Sequence, residues 1–200
     1  MNILYWIKKI QSRYWNKLQD SSKDRVIVIN GIDVAVGKYT YGLESAVVLA
    51  WGDGDVNVKI GRFCSISYGL QIITGGNHRT DWVTTYPFGH LAPSSNHIPP
   101  ITGHPLPPKA VEIKNDVWIG RNVYVMPGVV VGDGAVIATN SHVVKDVPEY
   151  AIVGGNPSKV LGYRFDSDVI ERLMSEKWWD WDDERIFKNI DYLCSPPSEN

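Results

Sequence analysis

Cysteine is scarce in this 200-residue chain. Cys64 and Cys194 are the whole complement; they lie far apart and outside any C-x-x-C pair, so the sequence carries no secreted disulfide framework. An excess of either charge is lacking too. Twenty Lys and Arg face 22 Asp and Glu for a net charge of −2, too balanced for a protein whose main task is to neutralise nucleic-acid phosphates. Nor is there a long apolar run. The longest stretch free of Asp, Glu, Lys and Arg, Trp82–Pro108, carries seven of the 12 prolines and three of the five histidines, so it reads as a long loop and not as a membrane-spanning helix. No positively charged segment leads into a cleavable apolar stretch, since Met1–Ile7 runs straight into Lys8 and Lys9, and the expectation is a cytoplasmic protein. With 44% hydrophobic and 21% charged residues, the composition is that of one soluble globular domain.

Both ends of the chain have helical spacing. Ile3, Ile7, Ile10, Tyr14 and Leu18 recur at intervals of three or four, with Lys8, Lys9, Arg13 and Lys17 between them, which describes a basic amphipathic helix. Such a helix suits an anionic membrane surface; alternatively it covers the end of the main domain or a neighbouring subunit. Near the other end, Ser167 is placed to cap a helix in which Val169, Ile170, Leu173, Met174 and Trp178 repeat at helical spacing. Trp178, Trp179 and Trp181 are expected to pack rather than bind, and the tail Ser195–Asn200 to fray.

Between these ends the period changes to six. Ile60, Ile66 and Ile72 form one series and Ile113, Ile119, Val125, Val131, Ile137 and Val143 another. Four residues after each of these stands a small or apolar residue: Cys64, Leu70, Gly76, Val117, Val123, Val129, Ala135, Ser141 and Val147. Two inward residues per hexad with turn-forming residues between them describe a short strand and a corner repeated along a solenoid. An ordinary alternating strand does not fit, because Asn115, Arg121, Asp133 and Lys145 hold the third position of their hexads. Val36–Tyr41 fits one further unit, after which Leu43–Val58 is expected to break register as an irregular coil or insertion.

These units resemble those of the hexapeptide-repeat acyltransferases. Gly75-Gly76-Asn77-His78-Arg79-Thr80-Asp81-Trp82, with Tyr39-Thr40-Tyr41, Val117-Trp118-Ile119-Gly120, Met126-Pro127-Gly128 and Gly154-Gly155-Asn156-Pro157-Ser158-Lys159, is similar to the signature of their xenobiotic acetyltransferase subfamily, which includes streptogramin and type B chloramphenicol acetyltransferases. The resemblance spans roughly residues 36–165. It implies a mainly β fold, a left-handed parallel β-helix, with an extended active-site loop and flanking N- and C-terminal helices. The expected divisions are an N-terminal amphipathic helix over 1–24, a β-helix acyltransferase domain over 25–165 with its loop at 78–110, and a C-terminal helix and tail over 166–200. It also implies acetyl transfer from acetyl-coenzyme A to an acceptor hydroxyl in a homotrimer with sites between subunits, and no metal.

A hydroxyl attacks a thioester poorly until its proton is taken, and a neutral imidazole suits that task. His78 is the candidate base, standing where the repeat stops and the long loop starts. By position in the family motifs, Trp118, Gly120, Thr139, Asn140 and Lys159 are expected along the cofactor, and Lys145, Arg121 and Arg164 are further cations for its phosphates. A backbone N–H or the Trp118 indole N–H would stabilise the oxyanion. Tyr39, Tyr41, Trp82 and Tyr86, with Pro87, offer flat faces for a saccharide or a xenobiotic acceptor, although Tyr39 fits a core role equally well. The even spacing of His90, His97 and His104 lies in a proline-rich loop that has no helical face on which ligands would converge. Cys64 occupies an inward small-residue position, which favours packing over nucleophilic chemistry. Two alternatives remain. A γ-class carbonic anhydrase-like metal lyase uses the same repeat but needs closely placed histidines on the coils; a noncatalytic solenoid scaffold leaves the Asn77-His78 motif unexplained.

Overall fold

The computed structural model describes residues 21–51, 54–91 and 101–197, with the backbone alone for His90 and Leu91. The helix expected over 3–18, the end of the tail at 198–200 and His97 lie outside the described residues.

Among the described residues, fourteen strands build three sheets. They are β1 Arg25–Ile29, β2 Ile32–Val36, β3 Val47–Leu49, β4 Val58–Ile60, β5 Ser65–Ile66, β6 Gln71–Ile73, β7 Val111–Ile113, β8 Trp118–Ile119, β9 Tyr124–Val125, β10 Val130–Val131, β11 Val136–Ile137, β12 His142–Val143, β13 Ala151–Gly155 and β14 Ser158–Tyr163. The first sheet has the order β1-β2-β4-β7-β10, the second β14-β13-β11-β8-β5 and the third β12-β9-β6-β3. From β2 to β13 successive strands step from sheet to sheet and partners run parallel, while β1–β2 and β13–β14 are antiparallel pairs at the ends. Within the parallel part, Ile113 lies beside Val131, Ile119 beside Ile137 and Val125 beside Val143. Each pair is eighteen residues apart, three hexads to a coil.

The inward series is the core. Ile60, Ile66, Ile72, Ile113, Ile119, Val125, Val131, Ile137 and Val143 are all buried, as are Cys64, Leu70, Val117, Val123, Val129, Ala135, Ser141 and Val147. β-Branched residues fit a pleated, buried rung, and each contributes about 1.5–3 kcal/mol on burial. Gly76 is the one member not buried; the chain leaves the stack there with φ 85°. The buried Thr40 hydroxyl is satisfied twice: Oγ1 donates to Gly61 O at 2.6 Å and accepts from Cys64 N at 2.9 Å.

The early register is better kept than expected. Val36 pairs with Ile60 and Val48 with Ile72, so Val36, Gly42 and Val48 are consecutive first positions, and Thr40 and Ala46 fill the buried positions between them. The irregularity is confined to the residues between β3 and β4, because the small side chains of Gly42 and Ala46 hide a hexad that contains no branched aliphatic at its first position. The last coil is shortened: Val147 bridges Val131 sixteen residues away.

Helices cover one flank of the stack. Beyond a four-residue α1 at Phe88–Leu91 in the loop, α2 spans Ser167–Glu176, followed by a 3-10 turn at Trp178–Asp180, α3 Asp183–Lys188 and α4 Ile190–Leu193. The N-cap of α2 is Asp166, not Ser167, and makes no side-chain cap bond; the Ser167 hydroxyl turns instead to Asp168 Oδ1 at 3.1 Å. Trp179 and Trp181 are buried, and Trp178 packs on Phe63 with ring centroids 4.7 Å apart. Lys38 Nζ donates to Trp181 O and pairs with Asp183, and Arg62 bridges Asp24 and Asp180. These contacts pin the C-terminal segment to the early coils.

Candidate active site

Residues 74–78 leave the third sheet at the end of β6. Two glycines are required there: Gly76 has positive φ, and a Cβ on it would stand 2.9 Å from Trp51 Cε3. The segment returns beside its own start, where Leu106 N–H donates to Asn77 O at 2.9 Å and Lys109 N–H to Thr74 O at 2.7 Å. His78 stands between these anchors. Its Nδ1 lies 2.7 Å from Thr85 O; a carbonyl only accepts, so Nδ1 carries the hydrogen, and in the neutral ring Nε2 holds the free lone pair.

A cleft of about 290 Å³ opens here, lined by Trp51, Gly76, His78, Pro87, His104 and Pro105. The His104 ring meets the His78 ring edge-on, centroids 4.6 Å apart, and Trp82 lies 5.9 Å beyond His104. Arg79 stacks on Trp82 at 5.0 Å and bridges Asp81, Nε to Oδ1 at 2.7 Å, which holds the Asp81 carboxyl down at about 2. Tyr86, half-exposed, packs on Phe88 next to Pro87. Trp82 and Tyr86 are therefore carried on the same loop as His78.

Tyr39 and Tyr41 are not part of this cleft. Tyr39 stacks on Phe63 at 5.0 Å, and its hydroxyl is taken up by Asp183; desolvation, then that carboxylate, push the phenol up to about 12. The core alternative for Tyr39 is the one the packing favours. Tyr41 is half-exposed in a separate groove with Arg25, Ile27 and Leu43.

Trp118, Gly120, Thr139, Asn140 and Lys159 share the second sheet and its exit corner. Trp118 is 59% exposed on β8. Gly120 N donates to Ile137 O at 2.8 Å, and a Cβ there would lie 2.6 Å from Thr139 N, so adjacent coils meet closely at this corner. Asn140 N donates to Arg121 O at 2.8 Å. Lys159 lies exposed on β14, opposite Gly154. Lys145 is exposed after β12, at the exit of the third sheet. Arg164 is already occupied: Nη1 meets Asp116 Oδ2 at 2.9 Å and Gly134 O at 2.8 Å, so it works as a clamp and not as a free phosphate ligand.

Cys64 is buried, with Sγ 3.1 Å from Lys114 O, and desolvation pushes its thiol up to about 12. That rules it out as a nucleophile near neutral pH. His142 faces outward, stacked on Tyr124 at 5.0 Å. Trp51 and His104 are the cleft residues that sequence reasoning missed. The Gly75-Gly76 pair signals that some neighbour approaches closely, but pairwise glycine spacing does not name Trp51.

Residues 110–145 match the family described as bacterial transferase hexapeptide (six repeats). The chain is 49% identical to the probable macrolide acetyltransferase of Lysinibacillus sphaericus over 138 residues, 68% of this chain and 76% of that one. The chain belongs to the hexapeptide-repeat acetyltransferases. It is accordingly an enzyme, an acetyltransferase, and acetyl-coenzyme A is the cosubstrate of this family. The chloramphenicol acetyltransferase of Agrobacterium fabrum is 42% identical over 165 residues, covering 77% of this chain and 78% of its own. Among solved structures, the polySia specific acetyltransferase NeuO superposes with a TM-score of 0.50 at 28% identity, covering 82% of this chain and 65% of that one.

Proposed function

We propose that this acetyltransferase acetylates a hydroxyl of a saccharide or xenobiotic acceptor, with His78 as general base. The observation that carries the reading is the His78–Thr85 bond: it fixes the tautomer and leaves Nε2 as the basic nitrogen in a cleft walled by Trp51, Pro87 and Pro105. Nε2 takes the acceptor proton as the hydroxyl oxygen attacks the thioester carbonyl, and returns it to the departing thiolate when the tetrahedral intermediate collapses. The oxyanion is met by a backbone N–H or by the exposed Trp118 indole. The flat apolar walls suit a sugar ring or an antibiotic macrocycle alike.

The coil is read as left-handed, and the working unit as a homotrimer. Within one chain His78 sits at the exit of the third sheet, whereas Gly120, Thr139 and Asn140 sit at the exit of the second. A three-fold assembly joins the base corner of one subunit to the cofactor corner of the next. A cytoplasmic location is part of the same reading, with residues 1–18 serving either to cover the end of the domain or a neighbouring subunit or to meet an anionic membrane face.

The test is release of free coenzyme A from acetyl-coenzyme A with a panel of antibiotics and saccharides, alongside sedimentation. Acceptor-dependent release by a trimer is the expected result. No release with any hydroxylated acceptor, or a fully active monomer, overturns it.

A further inference from the structure

His104 is the unexplained group in the cleft. Both of its ring nitrogens are buried, and neither meets a hydrogen-bond partner among the described residues. A buried polar ring without partners needs a reason to stand where it does. Its position is well determined: Gly103, with φ 87°, precedes it, and the Leu106–Asn77 backbone bond follows it, so the returning limb of the loop delivers the ring onto His78. Trp82 closes its other side. The charged groups beside the pair among the described residues are Arg79 and Asp81, which are bonded to each other.

We propose that His104 is a positioning residue for His78, acting through its ring and not through its nitrogens. The Thr85 carbonyl restrains one atom of the His78 imidazole but leaves the ring free to swing about that bond. The edge-on contact at 4.6 Å and 78° removes that freedom, so Nε2 is held toward the acceptor space. Edge-to-face packing fixes ring orientation without drawing on the hydrogen-bonding capacity of the base. This assignment rests on the general-base reading of His78 given above.

The test uses His104→Ala and His104→Phe in the full-length protein. Alanine is expected to lower kcat about 10-fold or more, the scale on which small misplacements of a reacting group act, with both KM values changed less than about two-fold. Phenylalanine restores the ring without the nitrogens and is expected to recover kcat to within about three-fold. NMR relaxation of the His78 ring carbons gives a substrate-free readout: a rigid ring is expected in the wild type and His104→Phe, and a mobile one in His104→Ala. Should alanine prevent folding, His104→Leu supplies the non-aromatic comparison. A His104→Phe enzyme as slow as His104→Ala, or a His78 ring as rigid in the non-aromatic variant as in the wild type, overturns the proposal. Because the ring mobility is read without substrate, failure of the wild type to acetylate any acceptor is a separate result that removes only the general-base reading.

Discussion

The imidazole of His78 is bonded to the main chain of Thr85 seven residues later, at 2.7 Å, so the loop that begins at His78 also orients it. The side chain of Thr85 takes no part in that bond. Replacing His78 with alanine should therefore leave the stack folded while acetyl transfer falls by about 100-fold or more, whereas Thr85→Ala should stay within about three-fold of wild type. Steady-state kinetics on both variants, with circular dichroism as the folding control, checks the pair.

Lys159 sits exposed on β14, in the same sheet as Trp118. On the proposed reading its ammonium meets a coenzyme A phosphate as a point charge, so Lys159→Ala should raise the KM for acetyl-coenzyme A several-fold, about 1 kcal/mol for an exposed pair, and leave the acceptor KM unchanged. The salt dependence of cofactor binding should weaken as well. Titration at low and high ionic strength checks both.

Gly76 carries two separate constraints, a positive φ and the Trp51 ring where a Cβ would go. Gly76→Ala should cost about 1–3 kcal/mol of stability. Adding Trp51→Ala should recover only the steric part. Denaturant unfolding of the single and double variants separates the two.

Ile119 is wholly buried on β8 of the second sheet, between Ile66 and Ile137. Ile119→Ala leaves a void between rungs that the backbone ladder keeps from collapsing, at a cost of about 2–5 kcal/mol. Thermal unfolding reads the loss, and activity at low temperature should survive it.

The clasp on the C-terminal segment is acid-sensitive. The hydrogen bond from Lys38 holds the Asp183 carboxyl below its ordinary value, and the bond from Arg62 does the same for Asp24. Since the folded values lie below the unfolded ones, the stabilisation is complete above the ordinary carboxyl range near about 4 and is lost as pH falls through the folded values. Tryptophan fluorescence from Trp178, Trp179 and Trp181 should report loosening at acid pH, and Asp183→Asn should flatten that dependence.

The stack was legible because its rungs repeat: a first-position aliphatic every six residues from Ile113 to Val143 dictates both the strands and their stacking. Val36–Val48 was harder, since Gly42 and Ala46 satisfy the geometry with little side chain to read. His78 was visible as the point where the period ends. Trp51 and His104 were not, because the contacts that bring them to His78 are made by two excursions without periodicity, and closure of such a loop leaves no pattern in composition. Tyr39, for which core and acceptor roles fit the sequence equally well, stacks on Phe63 and meets Asp183 instead of lining this cleft.

The two hairpins bear on how long such a protein is able to grow. A stack of parallel rungs presents an unsatisfied edge at either end, and identical molecules offered such edges would add to one another indefinitely, as fibrils do. Here β1 turns back on β2 at Asn30-Gly31, and β14 turns back on β13, reversing strand direction at opposite ends of two different sheets. An incoming coil therefore meets an antiparallel strand where it would need a parallel template. Removing either reversal would leave a parallel strand as the edge of its sheet at that end of the stack.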